Sequence, residues 1–156
     1  MFKIFFTLII FLLISNCGFQ KISEDRINNF QIENFITTGD RKMAAKIKNN
    51  ILINSRNESK NLISLTLDLN RKKSISEKNS ANQITKYLIE MDVQLVLVNE
   101  INNKIEKFKI NKSMSYNVED TYTQTLKNEK QILSDLSGKI TEEILRYIYM
   151  KNLNGN

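Results

Sequence analysis

The sequence predicts an α+β fold in which two helices pack on one face of a four-stranded mixed sheet, with the element order β-α-β-β-β-α. In four stretches apolar residues alternate with polar ones, which is the pattern of strands that bury one face. In two other stretches they recur every three or four positions, which is typical of helices with one apolar stripe. Elements that each have a single apolar face bury it in two layers, a sheet and the helices that cover it.

The chain begins with a segment typical of an export signal. Lys3 precedes an apolar run from Ile4 to Ile14 that is interrupted only by Thr7. This run is much shorter than the ~20 residues that a membrane-spanning helix needs, and a charged start before a short apolar run is the pattern of a signal peptide. We therefore predict a signal peptide over residues 1–16.

Cys17 follows this apolar run directly. The stretch Ile14-Ser15-Asn16-Cys17 resembles a bacterial lipobox, in which the cysteine is acylated and becomes the first residue of the mature protein. Cys17 is the only cysteine, so an internal disulfide is excluded. We predict lipidation at Cys17, a lipidated tether over residues 17–29 and a membrane anchor. The alternative is an ordinary signal peptide, because lipoboxes usually have Gly, Ala or Ser where this chain has Asn16.

The first strand and the first helix are predicted to follow each other closely in the sequence. Phe30–Ile36 has the composition of a strand, and residues 37–40 are predicted to form a turn that ends in a helix N-cap, Asp40. A short amphipathic helix with a basic outer face is predicted from Arg41 to about Asn54. Its apolar stripe consists of Met43, Ala44, Ile47 and Ile51.

The second strand is predicted over residues 61–70, where apolar and polar residues alternate strictly. Residues 71–83, which follow, are polar, rich in lysine and too many for a tight turn. Two interpretations remain open for them. Either the strands extend past the sheet as a hairpin ribbon, or a mobile loop links them.

The clearest hairpin is predicted over residues 87–97 and 108–118. Asn102 and Asn103 are expected at the centre of a two-residue turn, because Asn tolerates the positive φ that such a turn needs. Lys112 interrupts the apolar face, so we expect its side chain to snorkel or to mark an edge strand. The predicted register pairs Leu97 with Phe108, Leu95 with Ile110, Met91 with Met114, Ile89 with Tyr116 and Tyr87 with Val118.

The last helix is predicted from about Thr125 to about Lys151. Its apolar residues recur every four positions, as Ile132, Leu136, Ile140, Ile144 and Ile148. Gly138 lies inside this helix, where glycine is unfavourable, and is expected to allow close approach to the sheet. We therefore predict a single domain over residues 30–151 and a frayed end over residues 152–156.

The composition excludes several kinds of chemistry. The chain has no histidine and one cysteine, which excludes metal sites built on those ligands and nucleophiles activated by histidine. The acid pair Glu119-Asp120 is explained by helix capping, and Glu142-Glu143 by solvation on the outer side of a helix. We predict that the protein is not an enzyme, with no catalytic residues, no metal site and no cofactor apart from the covalent lipid on Cys17.

The formal net charge is +6, and the excess of basic residues lies in residues 17–80. Basic patches attract anionic partners such as anionic lipids, phosphorylated glycolipids or nucleic acid. In the polar stretch after the second strand, like charges repel one another unless an anion is nearby. Adjacent aromatic residues suited to base stacking are missing there, which argues against nucleic acid as a partner. The candidate anion-binding residues are Arg71, Lys72, Lys73 and Lys78.

With these elements in place, the chain resembles the LPS-assembly lipoproteins of Gram-negative bacteria, the LptE family. Cys17-Gly18-Phe19 is similar to the start of mature members, and the β-α-β-β-β-α order is similar across nearly the whole chain. The best local match runs from Ser115-Tyr116-Asn117 through Thr121-Tyr122 to Lys127-Asn128-Glu129.

The resemblance implies an outer-membrane lipoprotein that plugs the large β-barrel LptD, helps to assemble it, and binds lipopolysaccharide during delivery to the cell surface. The domain would face the periplasm or lie inside the barrel lumen. Lys127 matches a basic position implicated in lipopolysaccharide contact, and the stretch Arg71 to Lys78 lies in the region of the other basic contact. The alternative is a periplasm-facing auxiliary or substrate-binding lipoprotein of a lipid transporter, which needs no barrel partner.

Overall fold

The computed structural model describes residues 30–56 and 58–153. The order of the elements is the predicted one: β1 (Gln31–Gly39), α1 (Arg41–Ile53), β2 (Leu62–Lys78), β3 (Ile84–Asn99), β4 (Lys104–Asn117) and α2 (Tyr122–Leu153). The predicted signal peptide and the lipidated tether with Cys17 lie outside the described residues. Residues 152–153, expected to be frayed, belong to α2, and residues 154–156 also lie outside.

The four strands form one mixed sheet in the order β1-β2-β3-β4. β1 is parallel to β2, whereas the β2–β3 and β3–β4 pairs are antiparallel. α1 packs against β1 and α2, and α2 packs against β4. The predicted fold class is confirmed. The strand residues fully buried beneath the helices are Ile63, Leu65, Leu67, Leu69, Ile89, Met91, Val93 and Leu95.

β1 is longer than predicted, because residues 37–39 continue the strand instead of forming a turn. They pair in parallel with residues 67–69 of β2. Gly39 ends the strand with a φ of +85°, and a Cβ at this position would lie 2.0 Å from the carbonyl oxygen of Leu69. Only glycine therefore permits this approach. Asp40 caps α1 as expected, since its side chain accepts a hydrogen bond from the backbone N–H of Met43.

Of the two interpretations of residues 71–83, the hairpin ribbon is the observed one. At ~3.3 Å per residue, the 17 residues of β2 span about 55 Å. At the tip of the ribbon, Asn79 Oδ1 accepts hydrogen bonds from the backbone N–H groups of Ala81 (3.0 Å) and Gln83 (2.9 Å). Asn82 has a φ of 61° there, a conformation that Asn tolerates.

The predicted register between β3 and β4 is wrong by two residues. The connection is a four-residue loop over residues 100–103 instead of a two-residue turn, and Asn99 Oδ1 accepts from the backbone N–H groups of Ile101 (2.9 Å) and Asn102 (3.3 Å). Because the strand period is two, the shift leaves every side chain on its predicted face. The observed pairs are Leu97 with Glu106, Leu95 with Phe108, Val93 with Ile110, Met91 with Lys112, Ile89 with Met114 and Tyr87 with Tyr116.

The domain has two opposite ends. At the first, which we name the Phe30 end, Arg56 N–H donates to the Phe30 carbonyl (2.9 Å) and Glu100 N–H donates to the Leu62 carbonyl (2.9 Å). The Phe30 end also contains the β3–β4 loop and the C-termini of both helices. At the second, which we name the ribbon end, lie the β2–β3 ribbon and the N-termini of both helices.

Candidate functional site

A polar and aromatic cluster joins the ribbon to the first turns of α2. Lys73 Nζ lies 2.6 Å from Oε2 of Glu129, and Tyr116 Oη donates a hydrogen bond of 2.8 Å to the same oxygen. The ammonium of Lys73 also lies over the rings of Tyr87 and Tyr116, at 4.4 Å and 5.4 Å from their centroids. Lys73 is thus held by one carboxylate and two aromatic faces.

The charges of this cluster stabilise one another. Burial raises the pKa of Glu129, but the hydrogen bonds from Lys73 and Tyr116 outweigh it and leave that pKa below its usual value. Burial lowers the pKa of Lys73, but the hydrogen bonds and charges of Glu129 and Tyr116 together outweigh it and leave that pKa above its usual value. At neutral pH the cluster is therefore an ion pair. An incoming anion would have to compete with Glu129 for Lys73.

Arg71 has a partner of its own. Its Nε lies 2.8 Å from Oδ2 of Asp40, the residue that caps α1. Asp40 N–H in turn donates to the carbonyl of Leu69 (2.8 Å). The ion pair therefore connects the base of the ribbon to the start of α1, and both charges are satisfied within the domain.

The five predicted lipopolysaccharide-binding residues do not form one cluster. Lys72 lies between Arg71 and Lys73 in β2, so its side chain points to the opposite face of the sheet. Its neighbour in the strand register of β3 is Glu90. Lys78 lies near the ribbon tip and donates to Asn82 Oδ1 (2.9 Å). Lys127 is exposed in the second turn of α2. The repulsion expected among Arg71, Lys72 and Lys73 is relieved by this alternation and by carboxylate partners. Strand alternation was the signal that could have shown this.

Two further basic residues belong to the same end of the domain, although the sequence assigned them only to the outer face of α1. Arg41 and Lys42 are exposed in the first turn of α1, directly after Asp40. Within the described residues, they share with Lys72 and Lys127 the property of having no ion pair or hydrogen bond from their side chains. These four cations are available to an anion at the ribbon end.

A second charged feature lies between α2 and β4. A groove of about 470 Å³ is lined by Lys112, Lys139, Glu142, Glu143 and Arg146. The Lys112 side chain leaves the apolar face of β4 and pairs with Glu143 at 2.5 Å. β4 is an edge strand, as one interpretation of Lys112 expected. The prediction that solvation alone explains Glu143 is therefore wrong, and because its partner Lys112 lies on another element, no local pattern indicated the pair.

The acid pairs do not face each other across a cleft. Glu142 and Glu143 line the same side of the groove as neighbours on α2, and Glu119 accepts a hydrogen bond of 2.8 Å from Asn128. In the part of the chain that the structure describes, no group of three or more His, Cys, Asp or Glu side chains could hold a metal ion.

The sheet face opposite the helices is exposed and mostly polar, although Ile36 (50% exposed) and Ile105 (62% exposed) also lie on it. Asp92 accepts a hydrogen bond from Asn111 across the β3–β4 pair, and Thr38 donates one of 2.6 Å to Asp68 across the β1–β2 pair. Within residues 30–56 and 58–153, no helix covers this face. We name it the open face. Its exposed side chains include Asn34, Thr38, Thr66, Asp68, Asn70, Asp92, Gln94, Lys107, Lys109 and Asn111.

The fold is similar to that of several solved structures. A crystal structure of the rare lipoprotein B from Shewanella oneidensis matches with a TM-score of 0.60 and 12% sequence identity, over 78% of this chain and 97% of that chain. A solution structure of uncharacterized lipoprotein B from Nitrosomonas europaea matches with a TM-score of 0.57 and 15% identity, over 81% and 89% of the two chains. At these identities the similarity shows a shared fold.

No family model matches the sequence, and no curated protein matches it either. None of the helices in the described part of the chain is long and apolar enough to cross a membrane.

Proposed function

We propose that this protein is an exported lipoprotein, anchored to a membrane through an acylated Cys17, with its α+β domain outside the bilayer. The proposal rests on two features that occur together. The only cysteine follows an export-type apolar run, and the domain has the fold of proteins that are themselves named lipoproteins. Each feature alone is weak, since short apolar leaders and small α+β domains are common. Their combination in one chain favours a tethered domain.

The finer proposal is that the domain acts in the outer membrane as a plug and assembly partner of an LptD-type β-barrel. The open face supports this. The lumen of a large membrane barrel is polar, so a sheet whose apolar face lies under helices and whose other face is mostly polar can pack against it. The resemblance of Ser115–Asn117 and Lys127–Glu129 to the LptE family gives the proposal its named partner.

Lipopolysaccharide is the proposed ligand of the ribbon end. Its lipid A phosphates are anions that Lys and Arg bind by charge-assisted hydrogen bonds. Lys127 and Lys72 have no internal ion pair within the described residues, so they can bind a phosphate without losing a partner. Arg71 and Lys73 have Asp40 and Glu129 as partners and would have to exchange them. Lys78, with only an amide as partner, lies between these two cases.

Two measurements test the anchor and the partner. Mass spectrometry of the mature protein is expected to show an acylated N-terminal Cys17; cleavage elsewhere without acyl groups would remove the anchor from the proposal. Purification in mild detergent is expected to yield a stable 1:1 complex with a very large β-barrel protein. A matched pair of variants locates the contact: Gln94→Trp on the open face is expected to lower the yield of the complex, whereas Lys130→Trp on α2 leaves it unchanged.

The alternative function is an auxiliary or substrate-binding lipoprotein of a lipid transporter that faces the periplasm. The mixed-charge groove between α2 and β4 favours this alternative, because a polar groove can receive a headgroup without a barrel partner. The copurification experiment separates the two. An acylated protein that never copurifies with a barrel, and that loses bound lipid on Lys139→Glu, would fit the alternative and contradict the plug.

A further inference from the structure

The exposed hydrophobic residues of the domain are distributed unevenly. Among the residues that the structure describes, eight large hydrophobic side chains are exposed, and five of them lie at the Phe30 end. Scattered single exposures are ordinary, but a concentration at one end indicates a contact surface. The five are Leu52 (37% exposed), Ile53 (80%), Ile101 (61%), Ile105 (62%) and Met150 (47%).

The topology places these five residues at the same end of the domain, with Ile105 on the open face and the helix residues on the other side of the sheet. Leu52 and Ile53 end α1, and the chain that follows is fixed beside Phe30 by the hydrogen bond from Arg56 N–H. Ile101 lies in the loop between β3 and β4, and Ile105 is the second residue of β4. Met150 lies in the last turn of α2.

An ion-pair network fixes the C-terminal turn of α2 to the start of β4. Glu106 lies between Lys151, at 2.5 Å, and Lys104, at 3.0 Å. The Phe108 and Tyr147 rings stack beside it with their centroids 4.2 Å apart. The exposed residues around Met150 and Ile105 are thus held by a rigid scaffold.

Charged residues border the exposed aliphatic residues, and they include the carboxylates Glu58 and Glu100 as well as lysines. The two lysines of this network share a single carboxylate, and the Lys104 side chain remains 66% exposed. Lys60 is exposed in the connection between α1 and β2. Aliphatic side chains bordered by lysines are the composition of surfaces that rest on anionic bilayers, since the former enter the headgroup region and the latter approach lipid phosphates.

We propose that the Phe30 end is a membrane-docking surface that rests on the bilayer to which the chain is anchored. This inference rests on the proposed anchor. Residues 18–29 separate Cys17 from Phe30, and a fully extended chain of that length reaches at most about 45 Å. A tether this short keeps the Phe30 end near the lipid surface at a high effective concentration, so that weak insertion of a few aliphatic side chains suffices to orient the domain.

The docking orients the proposed lipopolysaccharide contacts. Lys127, Arg71 and the ribbon all lie at the end opposite Phe30. With the Phe30 end on the bilayer, the ribbon end points away from the membrane surface. The basic residues are then presented to material that arrives from the aqueous side.

The test uses the full acylated protein in vesicles of phosphatidylethanolamine and phosphatidylglycerol, with no other protein present. Cys17 is the only cysteine and its thiol is consumed by acylation, so single cysteines placed elsewhere take a spin label selectively. Labels at Ile53→Cys and Ile101→Cys are compared with labels at Ile75→Cys and Tyr122→Cys, two exposed positions of the ribbon end. At the first pair we expect collisions with oxygen to rise, and those with a water-soluble nickel complex to fall, at least about threefold relative to the second pair.

Equal water accessibility at both ends in vesicles would overturn the docking surface. So would protection of positions 53 and 101 only after a β-barrel partner is added, because the surface would then be a protein contact. A second arm separates the docking from the anchor. Cys17→Ser protein that begins at residue 17 is expected to cosediment weakly with the same vesicles, and Ile53→Asp with Ile101→Asp is expected to lower the bound fraction several-fold, whereas Ile75→Asp leaves it unchanged. If the mature protein has no acyl group but the variants show this cosedimentation pattern, only the anchor is overturned. If the acyl group is present but the variants do not show the pattern, only the docking is overturned.

Discussion

Lys73 in the ribbon and Glu129 in α2 are 56 residues apart in sequence, yet Nζ of the first lies 2.6 Å from Oε2 of the second. The pair connects the ribbon, which is the part of β2 that extends past the core, to α2, a helix that covers the sheet. It also decides which basic residues remain available, because it occupies one of the lysines that the sequence had assigned to an anion.

Glu129→Gln is expected to lower the free energy of unfolding by about 0.5–1 kcal/mol, since the variant removes the charge that holds Lys73 while both side chains are partly solvated. Urea unfolding followed by circular dichroism measures this. Glu142→Gln is the matched control, because Glu142 is an exposed α2 carboxylate without an ion pair in the described structure. Equal effects in the two variants would show that the Lys73 pair contributes nothing.

Glu106 should make stability depend on pH in the acid range. A hydrogen bond from Lys151 is the main cause that lowers its pKa from 4.5 to about 2. Because the folded-state pKa is the lower one, the stabilisation is fully present above about pH 4.5 and is lost as the pH falls towards about 2. The exposed lysine partners limit the contribution to about 1 kcal/mol. We expect Glu106→Gln to remove this part of the acid loss; parallel stability curves for the two proteins would contradict it.

Tyr147 should act at the opposite end of the pH scale. Burial, together with the hydrogen bond that its hydroxyl donates to Glu106 (2.8 Å), raises its pKa to about 12. The stabilisation is therefore complete below the ordinary tyrosine pKa of about 10 and is lost as the pH rises to about 12. Tyr147→Phe keeps the ring on Phe108 and removes the titrating group. Between pH 9 and 12, the midpoint temperature of thermal unfolding is expected to fall less steeply in the variant than in the parent.

Substitution by alanine should change stability in opposite directions at Gly39, which ends β1, and at Gly138, which lies inside α2. Gly39→Ala places a Cβ 2.0 Å from the Leu69 carbonyl oxygen at a φ of +85°, so we expect a loss of at least about 2 kcal/mol. Gly138 was expected to permit close approach to the sheet, but a Cβ there would meet nothing within 4 Å. Gly138→Ala should therefore stabilise the helix by up to about 1 kcal/mol. A destabilised Gly138→Ala protein would refute this account of α2.

Lys127→Glu is expected to weaken lipopolysaccharide binding several-fold, because it reverses the charge of an exposed cation without disturbing an internal pair. Lys109→Glu on the open face makes the same charge change at an exposed position away from the ribbon end. Titration calorimetry of both variants gives the comparison. Equal losses would indicate a response to net charge alone and would remove Lys127 as a specific contact.

Local patterns predicted more of the fold than of the site. The alternation in β2 and the four-residue repeat in α2 define buried faces whatever their partners are, so element types and faces were correct. The β3–β4 register was not, since the loop length depends on the Asn99 side chain, which folds over the backbone of residues 101 and 102. A two-residue slip keeps the same faces buried, so the hydrophobic pattern alone could not detect it.

The sequence by itself determined the element order, the apolar faces and the position of Cys17 after an export-type leader, because these depend on residue spacing along the chain. Only the tertiary structure decided which charges are neutralised. Arg71 with Asp40, Lys73 with Glu129 and Lys112 with Glu143 are all contacts between different elements. It also decided that exposed aliphatic residues from both helices and the β3–β4 hairpin lie at the Phe30 end. Such contacts arise from the packing of elements far apart in sequence, and a local sequence pattern does not indicate which distant residues will meet.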